Sequence, residues 1–297
     1  MSYNALIPVK GGLGNQMFFY AFFLFLKKKG FKAKLLWFYY IFTKHHSGIE
    51  IYSVFTLDLK KSPLSAQIFL QLGNFLHFKF LRRIVWSIFD LYYFKYLKIS
   101  QTNPYSFHSI LFQKNKHTIF FDGFWQNYKY VEFVKDELLI NFVFKGNYND
   151  TVNRYLSEMQ NCHSVSLHVR RGDYLTPEFS NLNVIKTNDY YIKAIKYIKE
   201  RIANPIFFVF TDDLIWAKKN LMDKNIVFVE GNIGPYSYID MFLMSQCKSN
   251  IISNSTFSWW GAWLNNNEEK IVIAPSKWTT DYSSEYICPP NWITIKV

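Results

Sequence analysis

The sequence predicts an α/β protein built on parallel sheets of the doubly wound type. Three observations lead there. The chain opens as strand, glycine turn, helix and strand, which is a βαβ unit. From residue 164 onward, short apolar β-prone runs alternate with helical stretches, the pattern of parallel strands joined by crossover helices. Several of these runs end abruptly in polar residues, and ligands of open α/β sheets sit at strand C-terminal ends.

Tyr3 to Val9 is the first predicted strand, running into the glycine turn Lys10-Gly-Gly-Leu-Gly-Asn-Gln16. Met17 to Lys29 follows as a helix. Its three closing lysines suit a helix C-terminus and Gly30 suits the cap beyond it. Phe31 to Phe38 is the second strand. The glycine turn is neither a dinucleotide fingerprint, since Met17 stands where the third glycine belongs, nor a P-loop, since no Gly-Lys-Ser/Thr follows. It is either a loop whose backbone approaches a ligand closely or a turn needed only for chain reversal. Ala66 to Ile99 reads as a helical insertion, rich in Phe, Leu, Tyr, Lys and Arg. Such a stretch is an amphipathic core helix with a solvated basic side, or a face resting on anionic lipid. Thr118 to Phe121 is a strand, followed by Asp122-Gly-Phe-Trp-Gln-Asn-Tyr-Lys-Tyr130. The aromatics here, Trp125 among them, with Gln126 and Asn127 just after a strand make a sugar platform, an apolar ring with amide hydrogen bonding. Val131 to Leu139 begins a further helix, and the polar run Lys145 to Asp150 is the predicted domain boundary.

In the second half, strands are predicted at Val165–Val169, Ile206–Phe210, Ile226–Val229, Asn250–Ser253 and, as the last, Ile271–Ala274. Between them lie helices from Asn188 or Asp189 to about Ile202, from Leu214 to Leu221, from Tyr236 to Ser245, and one opening at Asn254 to Leu264. His168, Arg170, Arg171 and Asp173 follow the first of these strands directly. Adjacent side chains on a continuing strand point to opposite sides, so one arginine faces a crevice while the other braces the loop. A guanidinium is a permanent charge with a planar fork of donors that suits phosphate. The alternative is a surface loop with an Arg–Asp ion pair. Ser255, Thr256 and Ser258 open a helix, where free N–H groups and the dipole favour anions. Asp212 and Asp213 are adjacent carboxylates after a strand. They could hold Mg²⁺ or Mn²⁺, but neighbouring side chains diverge, which favours capping or substrate roles.

The 297 residues are 49% hydrophobic and 20% aromatic, which excludes global disorder. Three cysteines without metal-ligand spacing fit a reducing compartment. No secretory leader is expected from Met1 to Lys10, and no window reaches the roughly 18 consecutive apolar residues of a membrane span. Net charge is +12, and residues 1–155 hold 20 Lys and Arg against 8 Asp and Glu, while the remainder is balanced. The excess points the first half toward something anionic. Nucleic acid is not expected as the partner, because no RNP, KH, zinc or helix-turn-helix signature is present.

Five motifs, in order, carry a family resemblance: Gly11 to Met17, residues 122–130, His168 to Tyr174, Phe210 to Asp213, and Asn254 to Leu264. Together they resemble the bacterial α-1,2-fucosyltransferases of glycosyltransferase family 11. That resemblance implies a GT-B-like fold of two Rossmann-type domains with a cleft between them. Residues 1–150 would form the acceptor-side domain and residues 151–297 the GDP-fucose-binding domain. It implies inverting transfer of fucose to O2 of a terminal β-galactoside, without metal or other cofactor. By the same resemblance Arg170 holds the β-phosphate, and His168 and Asp240 face the guanine. Ser255, Thr256, Phe257 and Ser258 line the phosphates and fucose, Gly14 belongs to the nucleotide-sugar set, and Asn15 lies near the reacting centre. Asp173 and Glu178 are the candidate bases, although Asp173 could equally be a structural partner of Arg171 and Glu178 stands on the acceptor side. Phe19 departs from the family pattern, which has Gln there. The acceptor is a galactose-terminated glycan, and the basic first half suits a lipid-linked one. The expected location is cytoplasmic, with peripheral contact at the anionic inner face of the plasma membrane. Another linkage, or a non-catalytic glycan-binding module, is the alternative.

Overall fold

The computed structural model describes residues 4–37, 48–57, 97–100, 105, 118–146 and 148–297. The chain divides into two compact units, Met1–Lys145 and Gly146–Val297.

Among its described residues the first unit carries a four-stranded parallel sheet. Its strands are β1 (Asn4–Pro8), β2 (Lys32–Leu36), β3 (Leu97–Ser100) and β4 (Thr118–Asp122), in the order β2-β1-β4-β3. Helix α1 (Leu13–Lys28) crosses from β1 to β2. It starts four residues earlier than the apolar run implies, so Asn15 and Gln16 lie in its first turn. A short turn of helix, α2 (Ile51–Val54), and helices α3 (Tyr128–Phe133) and α4 (Lys135–Asn141) complete the unit. Most of α1 is buried, because its aromatic residues form the core with the segment after β4. Phe22 stacks on Trp125 at 4.3 Å and meets Phe121 and Tyr130 edge-on at 5.4 and 5.0 Å. The predicted helix over 66–99 lies outside the described residues except at its end. There Leu97–Ser100 is a strand paired with β4, where the β-sheet ladder overrides local helical propensity.

The second unit is a six-stranded, fully parallel sheet. In chain order its elements are α5 (Asp150–Gln160), β5 (His163–Val169), α6 (Asp189–Lys199), β6 (Pro205–Thr211), α7 (Leu214–Asn220) and β7 (Ile226–Phe228), then α8 (Tyr238–Gln246), β8 (Ser249–Ile251), α9 (Thr256–Trp263), β9 (Val272–Pro275) and β10 (Ile293–Ile295). The sheet order is β10-β9-β8-β5-β6-β7. Numbered within the unit this is 6-5-4-1-2-3, the Rossmann order. Both faces are covered, as a parallel sheet requires. Val165, Leu167, Val169, Phe207 and Val209 pack on one face with Tyr190, Tyr191 and Ala194 of α6. Phe208 and Phe210 pack on the other with α5 and α8.

Two elements of the second unit were not expected. Helix α5 begins at Asp150, at the end of the polar run 145–150, and the division between the units at Lys145–Gly146 falls at the start of that run. Its signals were present: Asn149 caps Val152 N at 3.0 Å, and Val152, Tyr155 and Met159 recur at helical spacing on its buried face. Residues 271–274 do not form the last strand, because β10 extends the sheet beyond β9. Three residues after a double proline give too short a run to read as a strand.

Candidate functional site

In the second unit the crossover direction reverses between β5 and β8. A Rossmann sheet holds its ligands in the crevice this creates at the strand C-terminal ends. From β5 come His168, Arg170, Arg171, Asp173 and Tyr174. From β8 come Ser253, Asn254 and Ser255, the last capping α9 through Phe257 N at 3.3 Å.

The two arginines diverge, as strand geometry dictates. The Arg171 guanidinium lies 4.3 Å from the Trp216 ring centroid, and its Nε donates to Asp213 at 3.2 Å. Asp213 also caps α7 by accepting from Trp216 N at 3.0 Å. Arg171 therefore braces the sheet's far face. Arg170 is held by two carboxylates, Asp173 at 2.8 Å and Asp212 at 2.9 Å. Burial works against the Arg170 charge, and Asp212 and Asp173 outweigh it, so the guanidinium is held above its already high range. The expectation that Asp173 partners Arg171 is corrected: its partner is Arg170. Asp212 accepts also from Arg171 N at 2.8 Å. Gly172 makes that possible, since a Cβ there would stand 2.8 Å from Asp212 Oδ2. Asp212 and Asp213 do not converge on a common point, and among the described residues no group of three or more His, Cys, Asp or Glu is placed to hold a metal ion.

The loop after β8 is locked from several sides. Tyr190 donates to Ile252 O at 2.6 Å, and Tyr174 donates to Asn254 O at 3.1 Å. Asn254 Nδ2 donates to Leu182 O and Trp278 O at 2.8 and 2.9 Å. His168 Nδ1 lies 2.9 Å from Ser253 Oγ, spanning the reversal point itself. Burial, then the nearby Arg170 charge, drives the His168 imidazole down to about 3. It is neutral at physiological pH and serves as a hydrogen-bonding group. Phe257 lies 6.0 Å from it, ring to ring. Ser258 is fully buried and donates to Ser255 O at 3.3 Å, so it shapes the helix start from within. Thr256 is partly exposed at the start of α9. Asp240, in the first turn of α8, accepts from Asn232 at 2.7 Å, and burial raises its carboxyl to about 7. Glu178 is exposed on a short 3-10 segment, Pro177–Leu182.

The first unit brings together Asn15 and Gln126, joined at 2.6 Å, beside the buried Gly14. Gln16 is wholly buried: it donates to Gly11 O and Gly48 O and accepts from Glu50 N and Ile51 N. Trp125 is not a sugar platform. It is fully buried against Phe22, with its indole N–H on Phe121 O. A positive φ of 55° turns it into the core. The sequence offers Asp212 as a metal ligand, a cap or a substrate contact, but not as the partner of Arg170, and it does not single out Tyr174 or Ser253 for the site. Their signal was position alone, within a residue or two of strand ends already marked.

Two parallel α/β units, one in Rossmann order with its reversal point lined by an arginine and a helix start, define a GT-B-like glycosyltransferase. A fucosyltransferase NodZ from Bradyrhizobium has this fold, with a TM-score of 0.54 at 15% identity over 89% of this chain and 92% of that one. The chain belongs to glycosyl transferase family 11, whose profile matches residues 4–296. Curated relatives include the O-antigen biosynthesis glycosyltransferase WbnK of Escherichia coli, 45% identical over 46% of this chain. An α-1,2-colitosyltransferase of Escherichia coli is 40% identical over 61% of this chain, and the mouse galactoside 2-α-L-fucosyltransferase Sec1 is 24% identical over 60%. The matched segments span 46% of WbnK, 64% of the colitosyltransferase and 52% of Sec1. No helix among the described residues is long and apolar enough to cross a membrane.

Proposed function

We propose that the protein transfers L-fucose from GDP-fucose to O2 of a terminal β-galactoside, inverting the anomeric centre without a metal ion. The observation that carries this is Arg170, a cation that cannot deprotonate, fixed at the reversal point beside the start of α9. As GDP leaves, negative charge grows on its β-phosphate. A preoriented guanidinium and helix N–H groups stabilise that charge most where water is excluded. Neutral His168 and the Asp240 carboxylate offer hydrogen-bonding partners to the guanine. Ser255, Thr256 and Phe257 line the phosphates and the sugar.

Arg170 carries two carboxylates, and that arrangement has a consequence. While Asp173 pairs with the guanidinium, its carboxylate faces Arg170 and not a substrate hydroxyl. A pyrophosphate taking Arg170 would release Asp173, which could then accept the proton of the attacking hydroxyl. Asn15 would lie near the reacting centre. The donor sugar is the open choice, because one relative is named for colitosyl transfer.

The test is incubation with lactose and either GDP-fucose or a colitosyl donor, with and without EDTA, with product linkage read by NMR. Fucosyl-α-1,2-lactose formed equally in EDTA is expected. Arg170→Ala should lower turnover by roughly a hundredfold or more while remaining folded. A strict requirement for divalent metal, or an Arg170→Ala rate near wild type, would overturn the mechanism. A preference for the colitosyl donor would correct the substrate only.

A further inference from the structure

The first unit has a reversal point of its own. In the order β2-β1-β4-β3, the chain leaves β1 toward β2 on one side and returns through β4 on the other. The loops after β1 and β4 therefore flank a crevice of the kind that takes ligands. Their side chains are not those of an anion site. The glycine turn, the natural cradle for a phosphate, is filled by the chain itself: Gly11 has φ +83°, and a Cβ there would fall 2.1 Å from Asn15 Nδ2. Lys10, at the head of the turn, lies 3.8 Å from Asp122, so its positive charge faces a carboxylate. The Lys10 ammonium also stands 4.4 Å from the centre of the Phe124 ring. Phe124 is partly exposed, unlike its neighbour Trp125. Lys10 and Asp122 side chains retain 26% and 32% of their exposure, and an ion pair so open and so long contributes little to stability.

We propose that Phe124, flanked by Lys10, Asp122 and the Asn15–Gln126 amide pair, is the platform for a neutral pyranoside, the acceptor sugar. This deepens the proposed function and rests on it for the word acceptor. A pyranose has an apolar C–H face and a rim of hydroxyls. An aromatic ring matches the first; a carboxylate, an ammonium and amides match the second. The charges cancel, which suits an uncharged polyol over a nucleotide. The amide pair is already locked at 2.6 Å, so its ordering is complete before the sugar arrives.

The experiment measures KM for lactose and for GDP-fucose in the wild type and in Phe124→Ala, Lys10→Met and Asp122→Asn. Saturation-transfer NMR with lactose as the probe, in the presence of GDP, accompanies it. Phe124→Ala is expected to raise the lactose KM roughly tenfold, with the GDP-fucose KM within about twofold of wild type. Lys10→Met and Asp122→Asn should each raise the lactose KM in the same selective way. If Phe124→Ala does not fold, the two polar variants decide. Unchanged lactose KM in the folded variants would overturn the platform while leaving fucosyl transfer standing. A wild type that does not turn over GDP-fucose but saturates lactose, with the signal lost in the variants, would sink the proposed reaction and support the platform. A wild type showing neither turnover nor a lactose signal would overturn both.

Discussion

Acidification sets two groups of the second unit against each other. The His168 imidazole titrates at about 3 in the folded protein, against an ordinary value of 6.5. Between those values the unfolded chain holds one more proton. His168 therefore contributes stability that is fully present above pH 6.5 and lost as pH falls toward 3. Asp240 acts in reverse, because burial raises it to about 7 from 3.8. Its contribution is fully present below pH 3.8 and is lost as pH rises through 7. Each slope has a ceiling of about 1.4 kcal/mol per pH unit. Asp240 keeps some contact with solvent, so its contribution is discounted for screening. From about pH 6.5 to about pH 4.5 the two oppose each other by at most roughly 2–3 kcal/mol each. The wild type conceals most of both. Asp240→Asn should expose the His168 slope and lose stability on acidification faster than the wild type. His168→Gln should do the opposite, whatever its absolute stability. Urea unfolding at those two pH values, read as the change in stability for each protein, measures this directly. Parallel changes in all three proteins would refute the assignment of opposite, burial-driven shifts. The same carboxyl gives a binding signature: if the ionised form of Asp240 holds guanine, GDP affinity in the wild type falls below about pH 7, and Asp240→Asn removes that dependence.

Trp125→Ala should destabilise the protein by about 3–5 kcal/mol in denaturant unfolding, since it empties a stacked, fully buried site. Phe124→Ala next to it should lose far less; equal losses would contradict the division into core and platform. Gly172→Ala places a Cβ against the Asp212 carboxylate, the movable end of a side chain. Stability should change by about 1 kcal/mol or less, while kcat/KM falls by roughly ten- to a hundredfold as Arg170 loses its alignment. Wild-type turnover in Gly172→Ala would mean that Asp212 does not position Arg170.

The alternation of strands and helices in the second unit was legible along the chain. Buried parallel strands are short apolar runs, and helices announce themselves by caps and spacing. The divergence of Arg170 and Arg171 was legible too, because a strand has only two sides. The amino-acid order alone also fixed which ends of which strands carry polar chemistry.

Other features came only from the folded chain. Asp212 reaches Arg170 from a different strand, and local pattern holds no record of which strand lies beside which. Asp173 chose Arg170 and not Arg171 because the chain turns at Gly172 just before it. Phe124 and Trp125 are adjacent aromatics of similar hydrophobicity, and composition cannot rank them. A left-handed backbone at Trp125 and the flat face of Phe22 on α1 decided that tryptophan goes inward. Neighbouring residues on one loop share a sequence context but not a direction. Direction is set by backbone dihedrals and by what is already packed opposite, and both exist only once the distant segments have met.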